Sequence, residues 1–157
     1  MKFNWIIIPK IISFLLLPIV VVACLTNGIY NSGSKDLEMR QVQEDLEHEW
    51  RAIETPPSTV LTSYHISNKS HQVLVNSTYS AKLNYQEIRA YYDHKLSKQG
   101  WMYIREEQVT EWGKRWGGFI AYYCKGKYSA SIQYSGNSPN HQWTYALAFS
   151  WGFDNCE

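Results

Sequence analysis

The sequence holds no CxxC pair, no HExxH stretch and no EF-hand loop, so the spacings that gather zinc or calcium ligands are missing. The histidines, His48, His65, His71, His94 and His141, are scattered; His65 and His71 fall on neighbouring predicted strands, which is too few ligands for a metal centre. No Gly-x-Ser-x-Gly elbow frames a serine, so a strained nucleophile of the hydrolase kind is not encoded. The glycine-rich stretch 113–118 lacks both the GK[ST] ending of a phosphate loop and the dinucleotide spacing. A charge excess is missing too: 15 basic residues against 14 acidic give a formal net charge of +1, far from the basic surplus of a nucleic-acid binder. No catalytic residue, cofactor-binding residue or metal ligand is predicted. Glu106 and Glu107 are adjacent carboxylates, but neighbours on a strand point to opposite faces and cannot share acid–base work.

What the chain does have begins at its start. Residues 6–25 carry one charge, Lys10, and the run from residue 11 to residue 30 approaches the roughly 20 apolar residues that a bilayer core requires. Lys2 and Lys10 precede the run and no lysine follows until Lys35, which places the N-terminus in the cytoplasm. The same residues also fit a secretory signal with Lys2 and Lys10 in the n-region. Ala23 before Cys24 resembles a bacterial lipoprotein cleavage box, with Val21 where leucine is usual, and the resemblance implies lipidation of Cys24. Residues 1–26 are therefore expected to be a membrane anchor or a lipoprotein signal. Either way the remainder lies outside the cytoplasm, in the periplasm or at the cell surface.

Removing residues 1–26 leaves enough chain for one domain. Residues 27–57 read as a linker and an amphipathic stalk helix: Met39, Val42, Leu46, Trp50 and Ile53 recur at spacings of three and four, and Pro56-Pro57 ends the pattern. This stretch is acidic, with seven carboxylates between residues 36 and 54 against Arg40 and Arg51. Its stripe fits either the domain that follows or a second copy. With Cys24 committed to the membrane, Cys124 and Cys156 are the remaining pair in an oxidising compartment, and a bridge between them is predicted.

Residues 58–157 read as an α+β domain ordered β-β-α-β-β-β-β, a mainly antiparallel sheet of about six strands with one helix packed on a face. Period-two runs cover residues 59–67, 71–80, 101–109, 119–124, 127–134 and 143–151. The helix is announced by Asn84 as N-cap, Glu87 three residues on, and Gly100 after its last turn. Lys125-Gly126 suits a hairpin turn that would set Tyr123 opposite Tyr128 and Ala121 opposite Ala130, while 112–118 reads as a connection. The segment Tyr91-Tyr92, Leu96 and Gly100-Trp101 resembles a pattern of small membrane-anchored or secreted bacterial domains, which implies an extracytoplasmic α+β module and no particular activity. In a bacterial host the acceptor patterns at Asn68 and Asn76 are chance matches.

The remaining surplus is aromatic: 7 Trp, 12 Tyr and 5 Phe. Burial in a small core accounts for most of them. Trp112, Trp116 and Tyr122, close in sequence to Lys114 and Arg115, form a candidate patch for a protein or glycan partner or a membrane interface. The sequence thus predicts a membrane-tethered, non-enzymatic binding or assembly module. A small hydrolase using His65 or His71, and a structural envelope lipoprotein that self-associates through the stalk, are the alternatives.

Overall fold

The computed structural model describes residues 36–69, 71–153 and 156. The apolar segment 6–25, Cys24 and the polar stretch after it lie outside the described residues. Met39–Glu157 form one compact unit. Among the described residues no helix is long and apolar enough to cross a membrane.

The fold is α+β. In chain order the elements are α1 (residues 36–52), β1 (Val60–Lys69), β2 (Gln72–Ser80), α2 (Tyr85–Lys98), β3 (Met102–Glu111), β4 (Lys114–Lys125), β5 (Tyr128–Tyr134) and β6 (Tyr145–Trp151). All six strands join one sheet in the order β1-β2-β6-β5-β4-β3, with every neighbouring pair antiparallel. The last four strands make the expected meander. It closes onto the first hairpin through β6, whose Phe149 pairs with Val75 on one side and Ala130 on the other.

Alternation decides which face becomes the core. Val73, Val75, Tyr79, Ala121, Tyr123, Ala130, Ile132, Tyr145, Leu147 and Phe149 are buried together with Val42 and Leu46 of α1 and Ile88, Tyr92 and Leu96 of α2. Their sheet neighbours on the other face, such as Asn76, Ser131, Gln133 and Ala148, are small or polar and half-buried. Ser77 and the Tyr92–Tyr145 pair are answered inside the core. The Trp50 indole donates to Ser77 at 3.0 Å, and the Ser77 hydroxyl donates to the Leu147 carbonyl at 3.1 Å. The Tyr92 and Tyr145 hydroxyls share a 3.0 Å hydrogen bond, and burial pushes the Tyr145 phenol up to about 12.

The α1 stripe packs on this sheet. Met39, Val42, Leu46 and Ile53 are buried in the common core, and the Trp50 ring packs at a tilt against that of Tyr64 with centroids 4.4 Å apart. Its polar edge reaches several other elements: Tyr128 donates to Asp45 at 2.7 Å, while Glu49 accepts from the Trp101 indole at 3.0 Å and Lys125 at 2.6 Å. At the start of α2, Asn84 and Glu87 form a reciprocal capping box. At its end the Trp101 amide donates to Leu96 and the Gly100 amide to Ser97, a Schellman closure with Gly100 at φ 83°.

Two expectations about β4 need correction. The β4–β5 turn is Gly126-Lys127, not Lys125-Gly126, because Lys125 pairs with Tyr128 and Tyr123 with Ala130. Gly126 then takes the positive φ, 57°, at the first turn position, and no lysine is forced into the left-handed region. The register differs from the expected one by two residues, so each side chain keeps its face. The second correction concerns 112–118: Lys114–Gly118 belongs to β4, and the connection shrinks to Trp112-Gly113. The glycines that suggested a loop admit an irregularity in the β3–β4 pairing between Gln108 and Thr110, with Gly117 at φ 77°. Trp143 precedes β6, its ring centroid 4.3 Å from that of His141.

Cys124 and Cys156 form the disulfide, with Cα atoms 5.6 Å apart. Cys124 lies opposite Ser129 on the face away from α1 and α2, so the bridge fixes Cys156 against the β4–β5 end of the sheet.

Candidate functional site

The β3–β4 hairpin carries the site. Glu111 pairs with Lys114, leaving a two-residue turn in which both Trp112, φ 51°, and Gly113, φ 75°, are left-handed. That is the type I′ pattern, whose first position favours Asn, Asp or Gly. A side chain with a Cβ costs roughly 1–2 kcal/mol in that conformation. Burial does not offset the cost here, because Trp112 is 95% exposed.

The turn overhangs the sheet. The last β4 residue paired with β5 is Phe119, and beyond it Lys114 and Arg115 pair with β3. A loop from β5 to β6 props the overhang. The Asn137 amide donates to the Trp116 carbonyl at 2.8 Å. Glu111 accepts from Ser138 at 2.7 Å and Asn140 at 3.4 Å, and is paired with His141. Gly136 makes the approach sterically feasible: a Cβ there would lie 2.3 Å from the Trp116 carbonyl oxygen.

Of the patch residues named from the sequence, Trp112, Lys114 and Arg115 are exposed at the tip, and Trp116 is half-buried beside them with Lys114 Nζ 5.7 Å from its ring centroid. Tyr122 is not brought to the tip. It lies six residues along β4, paired with Arg105, whose guanidinium sits 4.3 Å above its ring.

Sequence reasoning missed the Glu111 buttress. Ser138, Asn140 and His141 stand 27 to 30 residues away, in a loop with no motif of its own. The hydrogen bond from Ser138, aided by His141 and Asn140 and opposed by partial desolvation, holds the Glu111 carboxyl below its usual range. A depressed folded value means the contribution is present above the ordinary pKa near 4.5 and is lost as pH falls through the folded value. Urea midpoints of Glu111→Gln are therefore expected to fall less steeply on the acid side than those of the wild type. Parallel acid limbs would show that Glu111 is not a buttress.

A second polar cluster lies between α2 and the β3–β4 end. A cavity of about 610 Å³ is lined by residues that include Arg89, Asp93, His94, Trp101, Tyr103 and Tyr123. The Arg89 guanidinium lies 4.4 Å from the Tyr103 ring centroid and is ion-paired with Asp93 and with Glu106, the latter at 3.4 Å. Tyr123 donates to Asp93 at 2.7 Å, and Tyr85 donates to Glu106. Two carboxylates and two phenols thus absorb the single cation, and the cluster braces α2 on the sheet. Glu106 faces this brace while Glu107 pairs with Arg105 at 2.7 Å, as expected of strand neighbours.

Catalytic geometry does not emerge at either cluster. Ser138 donates to Glu111 instead of His141, so the loop places no hydroxyl beside an imidazole base. His65 pairs with Asn76, five residues along β2 from His71, a separation of roughly 16 Å at about 3.3 Å per residue. Among the described residues no group of three His, Cys, Asp or Glu side chains is placed to hold a metal ion. Comparison with protein-family models, curated proteins and solved structures finds no match.

Proposed function

We propose that the chain is a membrane-tethered, extracytoplasmic binding or assembly module that acts through its β3–β4 hairpin tip and performs no catalysis. One observation carries the reading: a tryptophan occupies an unfavourable left-handed turn position, fully displayed to solvent, on a turn held in place by a second loop. Neither local propensity nor packing favours tryptophan there, so contact with something outside the domain is the remaining advantage. The tether rests on the apolar segment 6–25, with Cys24 either embedded or lipidated. The Cys124–Cys156 bridge supports placement outside the cytoplasm, since disulfides persist in oxidising compartments.

The test is in-cell crosslinking of the full chain with mass spectrometry of recovered protein and lipid partners. Trp112→Ala combined with Trp116→Ala is expected to remove most crosslinked material while the domain stays folded. Undiminished crosslinking by a folded double variant would exclude the tip as the contact.

A further inference from the structure

We infer that the tip seats in the headgroup region of an anionic bilayer, an inference that rests on the reading of the hairpin as a contact surface. Size is the first argument. Trp112 is the one exposed large apolar side chain at the tip, and a single indole offers about 250 Å² at most. A stable protein interface needs about 800 Å² from each partner. A bilayer interface requires no shaped counterpart, and tryptophan is the side chain enriched there, with an apolar ring and one N–H donor.

Charge is the second argument. Lys114 and Arg115 are exposed within three residues of Trp112, and their sign attracts anionic headgroups. The adjacent carboxylate, Glu111, is turned into the loop, where Ser138, Asn140 and His141 hold it. Exposed residues of the propping loop, Asn137, Pro139 and Asn140, are uncharged and add no repulsion. Rigidity is the third argument. The Asn137–Trp116 hydrogen bond and the close approach of Gly136 fix the overhang, so little ordering cost remains when the indole enters the interface.

The test uses the full-length chain reconstituted into vesicles of phosphatidylcholine, with or without phosphatidylglycerol, carrying brominated acyl chains that quench indole fluorescence. The difference between wild type and Trp112→Phe isolates Trp112 from the other tryptophans. In anionic vesicles the wild type is expected to be quenched more than Trp112→Phe. Lys114→Gln with Arg115→Gln is expected to lower the equilibrium constant for the quenched state by about 30-fold, from the attraction typical of two basic residues at an anionic surface. Equal quenching of wild type and Trp112→Phe in anionic vesicles overturns the inference. If quenching is equal but Trp112→Ala still abolishes crosslinking to a protein, the inference falls and the binding-module reading stands. If neither quenching nor crosslinking responds to Trp112, both fall.

Discussion

Replacing Cys124 and Cys156 with serine is expected to lower stability by roughly 3.5 kcal/mol, the largest effect of any change on the surface of the sheet. The bridge joins residues 32 apart, and opening it returns the closed-loop entropy to the unfolded chain. For a domain of this size the melting temperature should fall by about 10–15 °C. Reductant should produce the same loss in the wild type and none in the double variant. The native hairpin tip lies at the opposite end of β4 from Cys124, so crosslinking at low temperature should survive in the serine variant. A stability loss of less than about 1 kcal/mol would mean that the bridge to Cys156 contributes little to the fold.

The second large effect is expected at Leu46. Its side chain is fully buried between α1 and the sheet, and Leu46→Ala should cost about 2–5 kcal/mol by lost transfer energy and a residual cavity. Glu44, exposed on the same helix, serves as the control, and Glu44→Ala should stay within about 0.5 kcal/mol. Urea denaturation of both variants distinguishes two roles for α1. A costly Leu46→Ala makes α1 a structural layer of the domain. A change below about 1 kcal/mol would make it a detachable stalk, contrary to the burial of Met39, Val42, Leu46 and Ile53.

The elements legible in the sequence are those whose signal is local. Asn84 and Glu87 stand three residues apart, and Gly100 terminates the helix they start, so both ends of α2 are written within its own neighbourhood. The alternation of Tyr145, Leu147 and Phe149 fixes the buried face of β6 regardless of its partners. The bridge followed from compartment and cysteine parity, without any knowledge of distance. Turn registers were less legible, because Lys125-Gly126 and Gly126-Lys127 preserve the same faces and differ in which residue must take a positive φ. The stretch 112–118 misled because glycines that admit an irregularity in a strand look, in sequence, like those of a loop.

The site was half legible. Trp112, Lys114, Arg115 and Trp116 are neighbours in sequence and remain neighbours in space, while Tyr122 is carried away by the rise of the strand. The Glu111 contacts with Ser138, Asn140 and His141 join distant segments through side chains, and no periodicity records them. The strain at Trp112 was invisible for another reason: it arises only once the chain between β3 and β4 is cut to two residues.

Trp112→Asn separates turn strain from partner contact, with melting temperature and partner crosslinking measured on the same full-length preparation. Asparagine tolerates the left-handed position, so a gain of roughly 1 kcal/mol, a rise of a few degrees, is expected together with loss of most crosslinked partner. A fall in melting temperature, or a stabilised variant that keeps its partner, would contradict this expectation.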